Sequence, residues 1–203
     1  MIRLKAVIFD YGNVLCEPQR DSDLVAMAAE CDLPQDRLTE GYWKWRLDYD
    51  RAALSPLEYW ARVAPGMAQN GALDRVMKLD NESWARPNAK SAKWAGELRK
   101  SGLKTAILSN MPLPLREYLD RECHWIPEFD HRTFSCDVLA AKPGREIYEE
   151  CLGGLGVAPS EALFLDDREE NVNAARRLGI HALVFTNLAQ AQADIEEKFA
   201  LSA

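Results

Sequence analysis

Residues 4–15 read Leu-Lys-Ala-Val-Ile-Phe-Asp-Tyr-Gly-Asn-Val-Leu. The run from Leu4 to Phe9 is short, nearly all apolar and rich in β-forming side chains; it stops on Asp10 and meets Gly12 two residues later. Such a run predicts a strand buried on both faces, as in a parallel sheet, feeding a turn. Leu103 to Leu108, Ala162 to Leu165 and Ala182 to Phe185 have the same character, and Thr133 to Cys136 is a weaker fifth candidate. Helical stretches alternate with the later runs. Ala89 to Lys100 is closed by Gly102, Pro143 to Leu155 carries proline in its first turn, and Glu169 to Leu178 is closed by Gly179. The alternation predicts an α/β fold, a Rossmann-like parallel sheet core with helices on both faces.

The interval from Arg20 to Arg86 breaks this rhythm, because it has helical periodicity and no strand of the same kind. Leu38, Tyr42 and Trp45 share one helix face, and Leu73, Val76, Met77, Asp80 and Trp84 share another with one polar interruption. Ser55-Pro56-Leu57-Glu58 is a capping box: the Ser55 hydroxyl can accept from the Glu58 amide, with proline at the first helical position. The expected organisation is therefore a core domain of residues 1–19 plus 87–203 and an inserted α-helical cap over residues 20–86, above the carboxyl edge of the sheet. A further helix is expected on the surface from Ala189 to Ala203.

Composition narrows the function classes. The 203 residues are 47% hydrophobic and 28% charged with a formal net charge of -7, which excludes a disordered or collagen-like chain. The acidic balance argues against a general nucleic-acid or anionic-membrane binder. No apolar run approaches the roughly 18 to 20 residues that span a bilayer. The apolar segment Ala6 to Phe9 is too short for a signal-peptide core, so a cytoplasmic protein is expected. The five cysteines form no C-x-x-C pair and the three histidines lie away from any cysteine cluster, which predicts neither a disulfide framework nor a zinc site.

In an open parallel sheet, ligands bind beyond the carboxyl ends of the strands, so the residues that end each apolar run are the informative ones. These are Asp10, then Ser109 and Asn110, then Asp166 and Asp167, with Lys142 just ahead of a helix start. Each alone has an ordinary role as a turn residue, a helix cap or a solvated lysine. Together, carboxylates gathered at one edge repel one another unless a cation intervenes, and a hard divalent ion such as Mg²⁺ suits them. The Lys142 ammonium and the donors at Ser109 and Asn110 suit an anionic group, most naturally phosphate.

The stretch Val7 to Leu15 resembles the first motif of the haloacid dehalogenase (HAD) superfamily. Ile107-Leu108-Ser109-Asn110 is similar to the second motif, Ala141-Lys142-Pro143 with Ile147-Tyr148 to the third, and Phe164 to Asn171 to the fourth. The four occur in order over nearly the whole chain. The resemblance implies a sheet with strands ordered third, second, first, fourth, fifth, and a small helical cap. It also implies that Asp10 is a nucleophile forming an aspartyl-phosphate, that Ser109 and Asn110 hold the phosphoryl group, and that Lys142 balances its charge. Mg²⁺ would be held by Asp10, the Gly12 carbonyl and Asp167, with Asp166 either a ligand through water or an orienting neighbour.

One position departs from the pattern. Most phosphatases of the family carry a general acid/base Asp two residues after the nucleophile, where this chain has Gly12. Three readings follow. The first is a Mg²⁺-dependent phosphohydrolase for a small phosphorylated metabolite, relying either on a different acid or on a leaving group that needs little protonation. A sugar phosphate fits, since Asp-Tyr-Gly-Asn-Val resembles the form in bacterial phosphatases similar to α-glucose-1-phosphatase. The second is a 2-haloacid dehalogenase, which also lacks the second Asp; the third is a metal- and ligand-binding member without turnover. Substrate choice is expected to lie in the cap, where Tyr42, Trp43, Trp45, Tyr49, Tyr59 and Trp60 form either a core or a face for stacking on sugar, with Arg20 a weaker candidate contact. Oligomeric state is left open by the sequence.

Overall fold

The computed structural model describes residues 4–66 and 71–199. Its sheet is parallel and five-stranded: β1 (Ala6–Phe9), β2 (Lys104–Ser109), β3 (His131–Phe134), β4 (Ala162–Asp166) and β5 (His181–Val184), in the order β3-β2-β1-β4-β5. Phe9 pairs in register with Ile107 on one side and Leu165 on the other. Asp10 and Asp166 each lie one residue beyond these partners, so the central strands deliver both carboxylates to the same edge.

Alternation along the strands divides the core into two layers. Val7, Phe9, Ile107 and Leu165 face α5 (Ala89–Lys100), α6 (Leu113–Glu122) and α10 (Leu188–Phe199), meeting Trp94, Leu115 and Ile195. Ala6, Ile8, Ala106 and Phe164 face α8 (Arg145–Leu155) and α9 (Glu169–Arg177), meeting Tyr148, Cys151 and Val172. Local signals set the helix ends. The Asn88 side chain accepts from the Ser91 amide at the start of α5, and Gly102 past its end adopts φ 95°, a left-handed conformation that a β-carbon would penalise.

Three expected elements are shifted. The strand expected over Thr133 to Cys136 begins at His131 and ends at Phe134, because Ser135 opens a short helical turn, α7 (Ser135–Val138), and its hydroxyl accepts from the Met111 amide. Pro143 is not in the first turn of α8; it follows a cis peptide bond in a turn, and Gly144 is the residue that precedes the helix. The expected C-terminal surface helix spans Leu188–Phe199 and docks through Ala191 and Ile195, while residues 200–203 lie outside the described region. All five cysteines are buried.

Between β1 and α5 the chain makes a tight turn over Tyr11–Leu15, then forms α1 (Asp21–Glu30), α2 (Gln35–Asp50), α3 (Pro56–Val63) and α4 (Ala72–Trp84). These four helices enclose their own apolar core, with Met27, Leu38, Tyr59, Trp60 and Val76 buried in it. The Ser55–Glu58 capping box forms as expected, with the Glu58 carboxylate returning to the Ser55 amide at 2.8 Å. Two crossings tie this unit to the sheet. Glu17 N donates to Arg86 O at 2.8 Å and Asn88 N to Leu15 O at 2.9 Å, and at the far side the Ser135 hydroxyl donates to Asp50 O at 2.6 Å.

Candidate active site

A cavity of 740 Å³ opens between the carboxyl edge of the sheet and the helical insert. Asp10, Gly12, Ser109, Asn110, Lys142 and Asp167 all line it. Six residues from four segments, spread along the chain from Asp10 to Asp167, thus meet because every segment ends a strand of the sheet or follows one.

The Lys142 ammonium organises the floor. Its Nζ lies 2.8 Å from Asp10 Oδ1 and 2.7 Å from Asp166 Oδ2, and it donates to Leu108 O at 2.9 Å. It is 2% exposed, and a buried ammonium holds its proton only because these partners outweigh the cost of leaving water. Burial pulls its pKa down, yet Asp10 and Asp166 together raise it above the ordinary lysine value. Asp10 is pushed the other way from an ordinary carboxylate. Burial, with the neighbouring Asp166 carboxylate, outweighs the pull of Lys142 and raises it to about 7.

Asp166 and Asp167 are adjacent but differ in function of position. Asp166 is fully buried and saturated: it accepts from Lys142, from Asn171 Nδ2 at 3.0 and 3.1 Å, and from the Arg168 amide at 2.8 Å. Asp167 is half-buried, lines the cavity, and accepts from Asn13 Nδ2 at 2.7 Å. Asp10, Asp166 and Asp167 each offer a carboxylate oxygen within 4.8 Å of the others. Three carboxylates face one lysine, an all-oxygen donor set with excess negative charge that fits a small hard divalent cation.

Ser109, which ends β2, is 3% exposed and lines the cavity. Asn110 does something different. Its side chain accepts from Lys142 N at 2.8 Å and donates to Lys142 O at 2.9 Å, clasping the lysine backbone in a two-way bond. The amide therefore positions Lys142.

The roof comes from the insert. Trp43, Arg46, Leu47 and Asp50 of α2 and Trp84 of α4 line the cavity. Arg46 donates from Nε to Asp50 at 2.7 Å and from Nη1 to Tyr42 and Asp80, forming a buried ion cluster that explains the polar Asp80 on an otherwise apolar face. Of the aromatic residues concentrated in the insert, Tyr42, Tyr49, Tyr59 and Trp60 are buried core, and Trp45 packs against that core. Trp43 faces the cavity, whereas Arg20 is an exposed residue ahead of α1 and does not line it. The sequence reading missed Asn13, Arg46 and Asp50. The last two stand four apart on one helix, an ion-pair spacing, but which face of α2 is buried depends on helices far away in sequence.

The haloacid dehalogenase-like hydrolase family matches residues 4–179. Among curated relatives, acyl-CoA dehydrogenase family member 10 of Mus musculus is 28% identical over 88% of this chain, which spans only 18% of that larger protein. A sesquiterpene phosphatase of Aspergillus oryzae is 26% identical, with 90% of each chain covered. Among solved structures, a HAD family enzyme of Bacteroides thetaiotaomicron in complex with magnesium and inorganic phosphate superposes with a TM-score of 0.77, covering 93% of this chain and 98% of that one at 17% identity. With its four motifs gathered on one sheet edge and the family match over residues 4–179, the chain belongs to the haloacid dehalogenase-like hydrolases.

Proposed function

We propose that the protein is a Mg²⁺-dependent phosphohydrolase for a small phosphorylated metabolite, working through an aspartyl-phosphate on Asp10. The observation that carries this reading is the buried Lys142 ammonium held between Asp10 and Asp166, with Ser109 beside it and Asp167 facing the same cavity. That floor is polar and cationic where a phosphoryl group would rest, and acidic where a cation would neutralise it. The Bacteroides neighbour was crystallised with both magnesium and phosphate, and relatives include a phosphatase.

Asp10, Asp167 and the Gly12 carbonyl would hold the ion, with Asp166 fixing Lys142 and Asn171 instead of ligating directly. Bound Mg²⁺ would offset the charge of the carboxylates and of the incoming phosphate. In the reaction, an Asp10 carboxylate oxygen bonds to phosphorus as the ester P–O bond breaks, and the electron pair leaves on the alcohol oxygen. That oxygen takes its proton from water, because Gly12 carries no acid. Water then attacks the aspartyl-phosphate, the P–O bond to Asp10 breaks, and inorganic phosphate departs. Lys142 stays protonated throughout, donating to the transferring group as its charge develops in line. Helices α1 to α4 act as a cap that roofs this chemistry.

A haloacid substrate is disfavoured by the same floor. Its carboxylate would enter beside three carboxylates within 4.8 Å of one another, with a single ammonium already shared by two of them.

The test is phosphate release from p-nitrophenyl phosphate and a panel of sugar phosphates, with and without Mg²⁺, in wild type and Asp10→Asn. Release that requires both the metal and Asp10 is expected. Chloride release from 2-chloropropionate without metal, and no phosphate release, would overturn the reading.

A further inference from the structure

We infer that the organic part of the substrate is apolar, and that Trp43, Leu47 and Trp84 form the surface that receives it. This rests on the phosphohydrolase reading and names the substrate class within it. Trp43 and Leu47 are 50% and 48% exposed, a costly way to leave two large apolar side chains on a helix whose neighbours Tyr42 and Tyr49 are buried. Four residues apart on α2, both line the cavity, and neither joins the core of the cap.

Trp84 extends the same wall. Its ring meets Trp43 edge to face at 6.4 Å, and its indole nitrogen donates to the Tyr42 hydroxyl at 2.9 Å. The polar atom of Trp84 is thereby spent inside the roof, so what remains toward the cavity is carbon. Its Cζ3 reaches to 3.8 Å from where a β-carbon on Gly12 would stand, which carries the apolar wall down to the phosphoryl floor. Met111 and Leu115 add buried apolar surface at the cavity's side.

A polyhydroxylated ligand would need the opposite lining: side-chain carboxylates, amides or guanidinium groups with hydrogen bonds to give. Among the described residues that line the cavity, every charged side chain outside the floor is already ion-paired. Arg46 holds Asp50 and Asp80, and Arg168 holds Glu170. The Asn110 amide both accepts from and donates to the Lys142 backbone, and the amide nitrogens of Asn13 and Asn171 donate to Asp167 and Asp166; the unpartnered Asn171 Oδ1 belongs to the floor beside Asp166, not to the wall of Trp43, Leu47 and Trp84. A flat or branched hydrocarbon group displaces water from Trp43, Leu47 and Trp84 without breaking any of these bonds. A sugar would bury hydroxyls against carbon.

The test uses phosphate esters whose leaving groups differ in apolar area but not in acidity. Para-alkylphenyl phosphates from methyl to butyl all release a phenol with pKa about 10, like the tyrosine side chain. With Mg²⁺ present, kcat/KM should rise about two- to fourfold per added methylene. Trp43→Ala combined with Leu47→Ala should flatten that rise, while Leu57→Ala, exposed on α3 outside the cavity, should keep it. In a second comparison n-hexyl phosphate should be preferred to D-glucose 6-phosphate, both being esters of primary alcohols. A flat or falling alkyl series with measurable turnover, or a preference for the sugar ester, overturns the inference and leaves the phosphohydrolase reading intact. Absence of phosphate release from every ester, p-nitrophenyl phosphate included, overturns both.

Discussion

Trp84 stands over Gly12: its Cζ3 atom lies 3.8 Å from the position a β-carbon there would take, an ordinary van der Waals distance. The backbone of Gly12, at φ -61° and ψ 130°, is open to any residue. The missing acid is therefore not excluded by space or strain. Gly12→Asp should fold normally and place a carboxyl group near the leaving oxygen. Hydrolysis of alkyl esters, whose alcohols need a proton, should rise by about tenfold or more, with little change for p-nitrophenyl phosphate. The ratio of the two rates is the measurement, and equal effects on both would count against a leaving-group role for this position.

Asp10→Asn should reduce phosphate release to background, a loss above about 10³-fold. The same substitution removes one of three crowded carboxylates, so the metal-free protein should not lose stability on that account. Thermal unfolding without metal, set beside the turnover assay, separates the two effects.

The pH dependence follows from the raised Asp10 carboxyl. Burial and the nearby carboxylates, against the pull of Lys142, lift it from 3.8 to about 7, so between these values the folded metal-free protein holds a proton that the unfolded chain has released. Stability from this group is complete below pH 3.8 and is lost as pH rises through about 7. The metal-free wild type should therefore lose a few kcal/mol relative to Asp10→Asn across that window. Mg²⁺, which needs the carboxylate form, should bind more tightly as pH rises toward neutrality and release a proton on binding below it. Calorimetry in buffers of different ionisation enthalpy checks the proton count.

Lys142→Met should destabilise the fold and end activity together. It leaves Asp10 and Asp166 facing each other in a buried site, a loss of about 3–5 kcal/mol. Added Mg²⁺ should recover part of that stability, measured by chemical denaturation, but not turnover.

Arg46→Met strands Asp50 and Asp80, both buried, and should cost about 3–5 kcal/mol. The damage should be confined to the cap, where Tyr42 and Trp84 share the same hydrogen-bond network. Hydrogen exchange should show α2 and α4 opening while the sheet stays protected.

The sheet, its central strands and the residues at their carboxyl ends are legible in the amino-acid sequence. Asp10, Ser109 and Asp166 could be read because a buried parallel strand is a short apolar run whose end is marked by the first polar residue, and these ends are where such sheets bind ligands. The capping box at Ser55 was legible for the same local reason, since its hydrogen bonds span three residues. Tertiary structure alone decided the rest. It alone showed that Asp166 is saturated while Asp167 faces the cavity, that the Asn110 amide clasps Lys142, and that Trp43 lines the site while Tyr42 beside it is core. Each of these depends on which way a side chain is turned by partners dozens of residues away, and periodicity places a residue on a face without saying what will pack against it.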